Sequence, residues 1–215
     1  MEERTRSFEE LIRWDREAHV GGDWHGTLLD YLEKVKLDPD VPKLAHARIY
    51  DLVLSRGIRE IPEGEQKTIA LTGVHKTFNC FSEEFFGIEK VLAQIVRYFH
   101  SASLKGEESR QVLYLMGPVG SGKSSLVERL ESLLEDGPPF YAIDGCPMHE
   151  EPLHLIPRHL RKEFQKMLGL HIEGDLCPVC RFRLAEEYGG RYEDFPVRSV
   201  RFSKRQRVGI GVVPP

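Results

Sequence analysis

No stretch of this chain approaches the roughly 18 consecutive apolar residues that carry a helix across a bilayer. The opening "MEERTRSFEE" lacks a basic segment followed by an apolar core of about 7 to 15 residues, so it does not read as a secretory leader. Cysteine is scarce. Cys80, Cys146, Cys177 and Cys180 are too few to scaffold 215 residues with disulfides, and they suit a reducing compartment. A cytoplasmic protein is the expectation. An excess of charge of one sign is lacking too: 30 Lys and Arg against 34 Asp and Glu leave a net charge of -4. Nothing global therefore draws the chain to nucleic acid or to an anionic membrane, and any polyanion site has to be local. Low-complexity tracts and internal repeats are absent.

What is present is globular. With 40% apolar and 30% charged residues, the chain can bury one ordinary core and a smaller appendage. Three short helices are expected between residues 7 and 57. Phe8, Leu11 and Ile12 share a face in the first, with Trp14 and Trp24 nearby as packing residues or as part of a partner-binding groove. Leu28, Leu29, Leu32 and Val35 share a face in the second, where Thr27 and Asp30 have capping-box spacing. Leu44, Ile49, Leu52 and Val53 mark the third, stopped by Gly57. Residues 58–80 resemble a connector with a strand at "TIALTGV". The expected organisation is an N-terminal helical unit at 1–60, a connector at 61–80 and a nucleotide domain at 81–215.

In that third segment, apolar residues at 88, 91, 92, 95, 96 and 99 have helical spacing, followed by a strand "QVLYLM". After it, "GPVGSGKS" fits G-x-x-x-x-G-K-[ST], with a helix to about Leu134 and a second strand "FYAID" behind it. Strand, glycine loop, helix and strand in that order predict an α/β fold with a parallel-sheet P-loop core. The glycines let backbone amides converge on phosphate oxygens, and the helix presents its positive end to the same anion. Gly117, Pro118, Val119, Gly120, Ser121, Gly122, Lys123, Ser124 and Ser125 form the expected ATP site. Lys123 reaches the β and γ phosphates as the candidate catalytic residue, and the Ser124 hydroxyl is the candidate Mg2+ ligand. Asp144, at the end of "FYAID", is either a turn residue or a magnesium-site acid.

Two further pairs stand out. "CPMH" supplies Cys146 and His149, and "CPVC" supplies Cys177 and Cys180, together the four soft donors of a tetrahedral Zn2+ site. Zinc on Cys177 and Cys180, with Cys146 and His149 completing it, competes with buried or redox-active thiols. Cys80 reads as a core residue. His154 and His159 read as structural, and Glu150 and Glu151 as helix-start acids or substrate contacts. Beyond these, "LHLIPRHLRKEFQKML" and "RFRLAEEY" predict helices, while "FPVRSVRFS" and "RVGIGVV" predict strands that pair as a hairpin. The basic run Arg198, Arg201, Lys204, Arg205 and Arg207 reads as a solvated face, and sparse aromatics there argue against nucleic acid.

The segments "FFGIEKVLAQIVRYF", "LYLMGPVGSGKSSLVERL", "YAIDGCPMHEEPLHLIPRHLR" and "RLAEEYGGRYEDFPVRSVRFSKRQRVGIG" resemble the N-terminal AAA domain of the PrkA family of serine protein kinases. "WHGTLLDYLEKVKLDPDVPKLAHARIYDLV" is similar to that family's leader, so the resemblance covers essentially the whole chain. It implies MgATP binding, with Phe86, Gly87 and Ile88 near the adenine, and a protein substrate and homo-oligomers in the full-length enzyme. It also implies a fragment, with Walker B, sensor and kinase-like elements beyond this sequence. An AAA motor serving another activity fits the same residues. A zinc-stabilised ATP-sensing adaptor without catalysis is the alternative from another class. A small-molecule kinase, with "RHLRK" as its lid, is a third.

Overall fold

A computed structural model describes residues 24–62, 64 and 74–210. The first expected helix with its face of Phe8, Leu11 and Ile12, Trp14, most of "TIALTGV" and the last residues of "RVGIGVV" lie outside them. In chain order, β1 (His25–Thr27) leads into α1 (Leu28–Leu37), followed by α2 (Ala45–Ser55), β2 (Ile58–Glu60) and β3 (Lys76–Phe78). The single turn α3 (Asn79–Ser82) precedes α4 (Glu89–Ser103) and α5 (Lys123–Glu135). Then come β4 (Phe140–Ile143), α6 (Arg161–Leu168), α7 (Pro178–Glu186) and β5 (Pro196–Val200).

The chain divides into two compact units, each built from separated stretches. The described residues of the first are 24–41 and 140–200; those of the second are 42–62, 64, 74–139 and 201–210. α2, from the expected N-terminal helical unit, thus shares a unit with α4 and α5, on which it packs.

In the first unit the sheet order is β1-β5-β4, and both pairings are antiparallel. β5 sits centrally, with His25 opposite Arg198 on one side and Ile143 opposite Val197 on the other. Pro196 is tolerated there because it is the strand's first residue and only its carbonyl is used, accepting from Asp144 N at 2.9 Å. α1 starts at the expected capping box. Thr27 Oγ1 accepts from Asp30 N, and Asp30 Oδ2 accepts from Thr27 N at 2.8 Å. Its core face is Leu28, Tyr31 and Val35, all fully buried, while Leu29 is 56% exposed. Leu29, expected on that face, lies one residue further round a helix in which neighbours are spaced by about a quarter turn. Trp24 packs edge-on against Tyr141, as a structural tryptophan does.

The helix expected across "LHLIPRHLRKEFQKML" is broken: a 3-10 turn occupies Pro152–Leu155 and α6 begins only at Arg161. Pro157 supplies the reason, since it disfavours helical backbone at Ile156. The expected hairpin of "FPVRSVRFS" with "RVGIGVV" does not form among the described residues. β5 is consumed by β1 and β4, and only the bridge Ser203–Val208 joins the later residues.

In the second unit α2, α4 and α5 pack around Ile49, Val53, Phe81, Leu92, Ile95, Val96, Leu130 and Leu133. α4 carries the expected stripe, and its four large buried residues, Leu92, Ile95, Val96 and Phe99, each contribute roughly 1.5–3 kcal/mol of burial. Gly57 ends α2 with φ +99°, and its carbonyl accepts from Asn79 N at 3.1 Å, tying the helix end to α3. β2 and β3 form a short antiparallel ribbon. The sheet geometry expected around the glycine loop is not what the described residues form. Residues 112–116 belong to no strand, and Val112, Tyr114 and Met116 are exposed. β4, the expected second strand, is paired antiparallel with β5.

Candidate functional site

The loop 117–122 runs directly into α5. Gly120 and Gly122 have φ near +80°, a region in which side chains with a Cβ are strained, and Gly122 is the residue that caps α5. A Cβ at Gly117 would meet Ser121 Oγ at 2.8 Å, so a side chain there would displace the Ser121 hydroxyl that now accepts from Lys123. Lys123 folds back over this turn. Its ammonium donates to Gly117 O at 2.8 Å, Pro118 O at 2.7 Å and Ser121 Oγ at 3.0 Å. The positive charge is therefore held inside the loop by carbonyls rather than in open solvent. Ser124 and Ser125 occupy the exposed first turn of α5, whose amides carry a partial positive charge of about +0.5.

The Phe85 ring stands 3.7 Å from where a Gly122 Cβ would lie. The same ring lines a cavity of about 250 Å3 walled also by Phe78, Phe81, Phe86, Glu89 and Leu92. Phe86 is 77% exposed at its rim. Gly87 turns with φ +80° and donates to Glu89 Oε1 at 3.0 Å, while Ile88 caps α4 and packs partly into the core. The other oxygen, Glu89 Oε2, is buried without a hydrogen-bond partner. The structure thus brings the loop and the 85–89 segment to one place through Phe85. Sequence reasoning passed over Phe85 and Glu89, which carry no motif of their own.

Asp144 takes the turn role. Its amide donates to Pro196 O, its carbonyl accepts from Arg183 Nη1 at 2.7 Å, and Oδ1 pairs with Arg198 Nε at 3.2 Å. Arg198 stays partly exposed in that pair, as expected of the basic face. Cys80 is a core residue as expected, its thiol pushed up to about 11 by burial.

The second constellation is in the first unit. From the end of β4 the chain makes two successive turns, Cys146 N to Ile143 O and His149 N to Cys146 O, with Gly145 and His149 both at positive φ. Ile143 N then donates to Glu150 O at 2.9 Å, closing the loop. Cys177 caps α7, its sulfur accepting from Cys180 N at 3.4 Å. Cys146, Cys177, Cys180 and Glu150 bring one donor atom each to within 4.8 Å of one another. Cys146 Sγ and Cys177 Sγ are 3.8 Å apart. The Glu150 carboxylate accepts from Cys177 N through both oxygens, at 2.8 and 3.0 Å, and lies 3.2 Å from His154 Nδ1. Burial and the neighbouring thiols push the Cys180 thiol up, and burial pushes that of Cys177 up.

His149, the expected fourth donor, is not in this group. Its left-handed backbone carries it to the ring edge of Phe140, and its Nδ1 is buried without a partner. Burial and the Arg198 charge hold its imidazole below the ordinary value. Glu150 takes the place beside the sulfurs. Glu151 behaves as a turn-start acid, accepting from Leu153 N and from the buried Tyr31 hydroxyl at 2.7 Å.

A glycine-turned loop that carries a lysine and opens into a helix is thus what G-x-x-x-x-G-K-[ST] forms here. The chain belongs to the PrkA AAA domain family, which matches residues 26–215. It is 44% identical over 206 residues to the ATP-dependent protease PrkA of Bacillus subtilis, covering 93% of this chain and 31% of that protein. It is 36% identical over 141 residues to the serine/threonine kinase YeaG of Escherichia coli K12, covering 62% of this chain and 22% of that protein. A Lon protease from Treponema pallidum is 30% identical over 127 residues, 58% of this chain and 13% of its own length. The chain therefore spans less than a third of each of these three relatives. No solved structure matches.

Proposed function

We propose that this chain is the MgATP-binding AAA module of a longer ATP-driven enzyme, with Gly117–Ser125 as its phosphate cradle. The observation that supports the reading is the loop itself: left-handed glycines, a lysine held over the turn and a 13-residue helix behind it. Backbone amides of the loop and the first turn of α5 bind the phosphate oxygens, and the Lys123 ammonium adds a charge-assisted donor. Ser124 Oγ is an exposed hard oxygen donor that suits Mg2+, which would neutralise charge on the β and γ phosphates. The base enters the cavity beside Phe85 and Phe86, with Gly87 and Ile88 following in the turn that leads into α4. Glu89 Oε2 there accepts a hydrogen bond from the base's amino group. The exposed apolar run 112–116 is the segment that a parallel P-loop sheet would take up as a strand, its partners coming from outside the described residues.

The relatives' names divide over what ATP drives. Similarity to a protease across 93% of the chain favours an AAA motor that acts on protein, and the kinase name of YeaG supports phosphate transfer as the second reading. Both use the same nucleotide module, and Asp144, engaged by Arg198 and Pro196, serves as hydrolytic acid in neither. One experiment tests the module and separates the readings. Full-length protein is incubated with casein and γ-labelled ATP, and both label transfer and casein cleavage are followed. Lys123→Ala removes a charge-assisted contact, so it should weaken binding of a fluorescent ATP analogue by about 10- to 100-fold and abolish whichever activity is found. Unchanged nucleotide affinity in that variant overturns the reading.

A further inference from the structure

We infer that Cys146, Cys177, Cys180 and Glu150 form a structural zinc site that clamps the loop after β4 to the start of α7. Zn–S bonds of about 2.3 Å at a tetrahedral angle place two sulfurs about 3.8 Å apart. The sulfurs of Cys146 and Cys177 stand at 3.8 Å, far outside disulfide bonding distance. All four donors lie within 4.8 Å of one another, which fits one ion. In a polynuclear iron–sulfur cluster, thiolates on different irons stand farther apart than these four donors do.

The surroundings are built for such an ion. Cys146 and Cys180 are buried, Glu150 is 9% exposed, and four protein donors leave no open coordination position, as in a structural zinc site. Cys177 and Cys180 stand at the N-terminus of α7, where the helix favours negative sulfur. The N–H of Cys180 toward the Cys177 sulfur has the geometry of a metal knuckle. Glu150 is orientated by the Cys177 amide and by His154, the outer contacts that fix a ligating carboxylate. On binding, each thiol releases its proton to solvent as its sulfur bonds the metal; nothing is oxidised or reduced. The ion joins positions 146 and 177, so the intervening chain, α6 included, is tethered at both ends.

The choice of Glu150 over His149 is the sharp part of the assignment. His149 lies against Phe140, whereas the Glu150 carboxylate accepts from the Cys177 amide and lies within 4.8 Å of the three sulfurs. The chain is expressed in zinc-supplemented medium and purified with reductant and without chelator, and its metal content is measured. About one zinc per chain is expected, falling below about a tenth of that in Cys177→Ser and Cys180→Ser. Glu150→Ala should speed zinc release to a chromophoric chelator by about tenfold or more, and His149→Ala should leave the rate within about twofold. Where a cysteine variant fails to fold, cobalt exchange into the wild-type chain replaces it; a tetrahedral spectrum with thiolate charge transfer is expected. Metal-free reduced protein, a Cys146–Cys177 disulfide, zinc retained without Cys177 and Cys180, or cobalt bound without thiolate bands overturns the site. Faster release from His149→Ala than from Glu150→Ala overturns the fourth donor.

Discussion

Gly122 offers a clean test of whether the loop's shape, apart from its charges, holds phosphate. It sits at φ +79° and ψ 9°, and its carbonyl accepts the first α5 bond from Leu126 N at 2.9 Å. In Gly122→Ala the added Cβ meets Phe85 Cε1 at 3.7 Å, an ordinary contact, so sterics against the rest of the fold contribute little. What remains is the backbone: alanine in the left-handed region costs roughly 1–2 kcal/mol. The loop is exposed, so in the absence of ligand it relaxes to a negative φ and loses only part of that amount. With phosphate bound it has to return, and the cost falls on the complex. The expected result is a roughly 5- to 30-fold weaker MgATP affinity, at about 1.4 kcal/mol per decade, with a thermal midpoint nearly unchanged.

The assay is fluorescence titration with an ATP analogue, beside calorimetric unfolding of the same samples. Gly169→Ala is the matched control, because Gly169 ends α6 with φ +68° and has nothing within 4 Å of the point where an alanine methyl would stand. It carries the same backbone cost and should lower stability without altering nucleotide affinity. Equal affinity in wild type and Gly122→Ala would refute the argument, since it would mean that the left-handed bend does not shape the phosphate cradle. A large fall in thermal midpoint would refute it differently, by showing that the loop cannot relax when empty.

Two further outcomes test the units that carry these sites. Thr27→Ala removes the side-chain half of the α1 capping box and should cost about 0.5–2 kcal/mol, read as an earlier urea midpoint with unchanged slope. Burial lowers the His46 imidazole below its ordinary value of 6.5, partly offset by its hydrogen bond with the Ala102 backbone. The unfolded chain therefore binds that proton more readily than the folded one. The resulting stability is present above about pH 6.5 and lost as pH falls through the lower folded value. His46→Gln should flatten the stability slope between about pH 7 and 5 relative to wild type, and an unchanged slope counts against the assignment.

What could be read in the sequence is what neighbouring residues decide among themselves. Thr27 and Asp30 are three residues apart and cap each other; Gly57 can leave a helix where a side chain resists; the α4 stripe repeats often enough to define a face. The phosphate loop belongs to this class, since its glycines, lysine and helix are contiguous. The sheet does not. β1 and β4 are three and four residues long, too short for alternation to mark them, and their common partner β5 joins residues as distant as His25 and Arg198. A strand-loop-helix-strand order therefore points to parallel pairing, while the registry is settled by a segment far along the chain. The cysteine cluster lies between these cases. Ligand chemistry favours the C-x-x-H spacing and so His149, yet the fourth donor is chosen by backbone geometry. The left-handed turn at His149, and the bond from Ile143 N that closes the loop on Glu150, move the useful side chain one residue on. Spacing names the right loop, and the hydrogen bonds that close it select the residue.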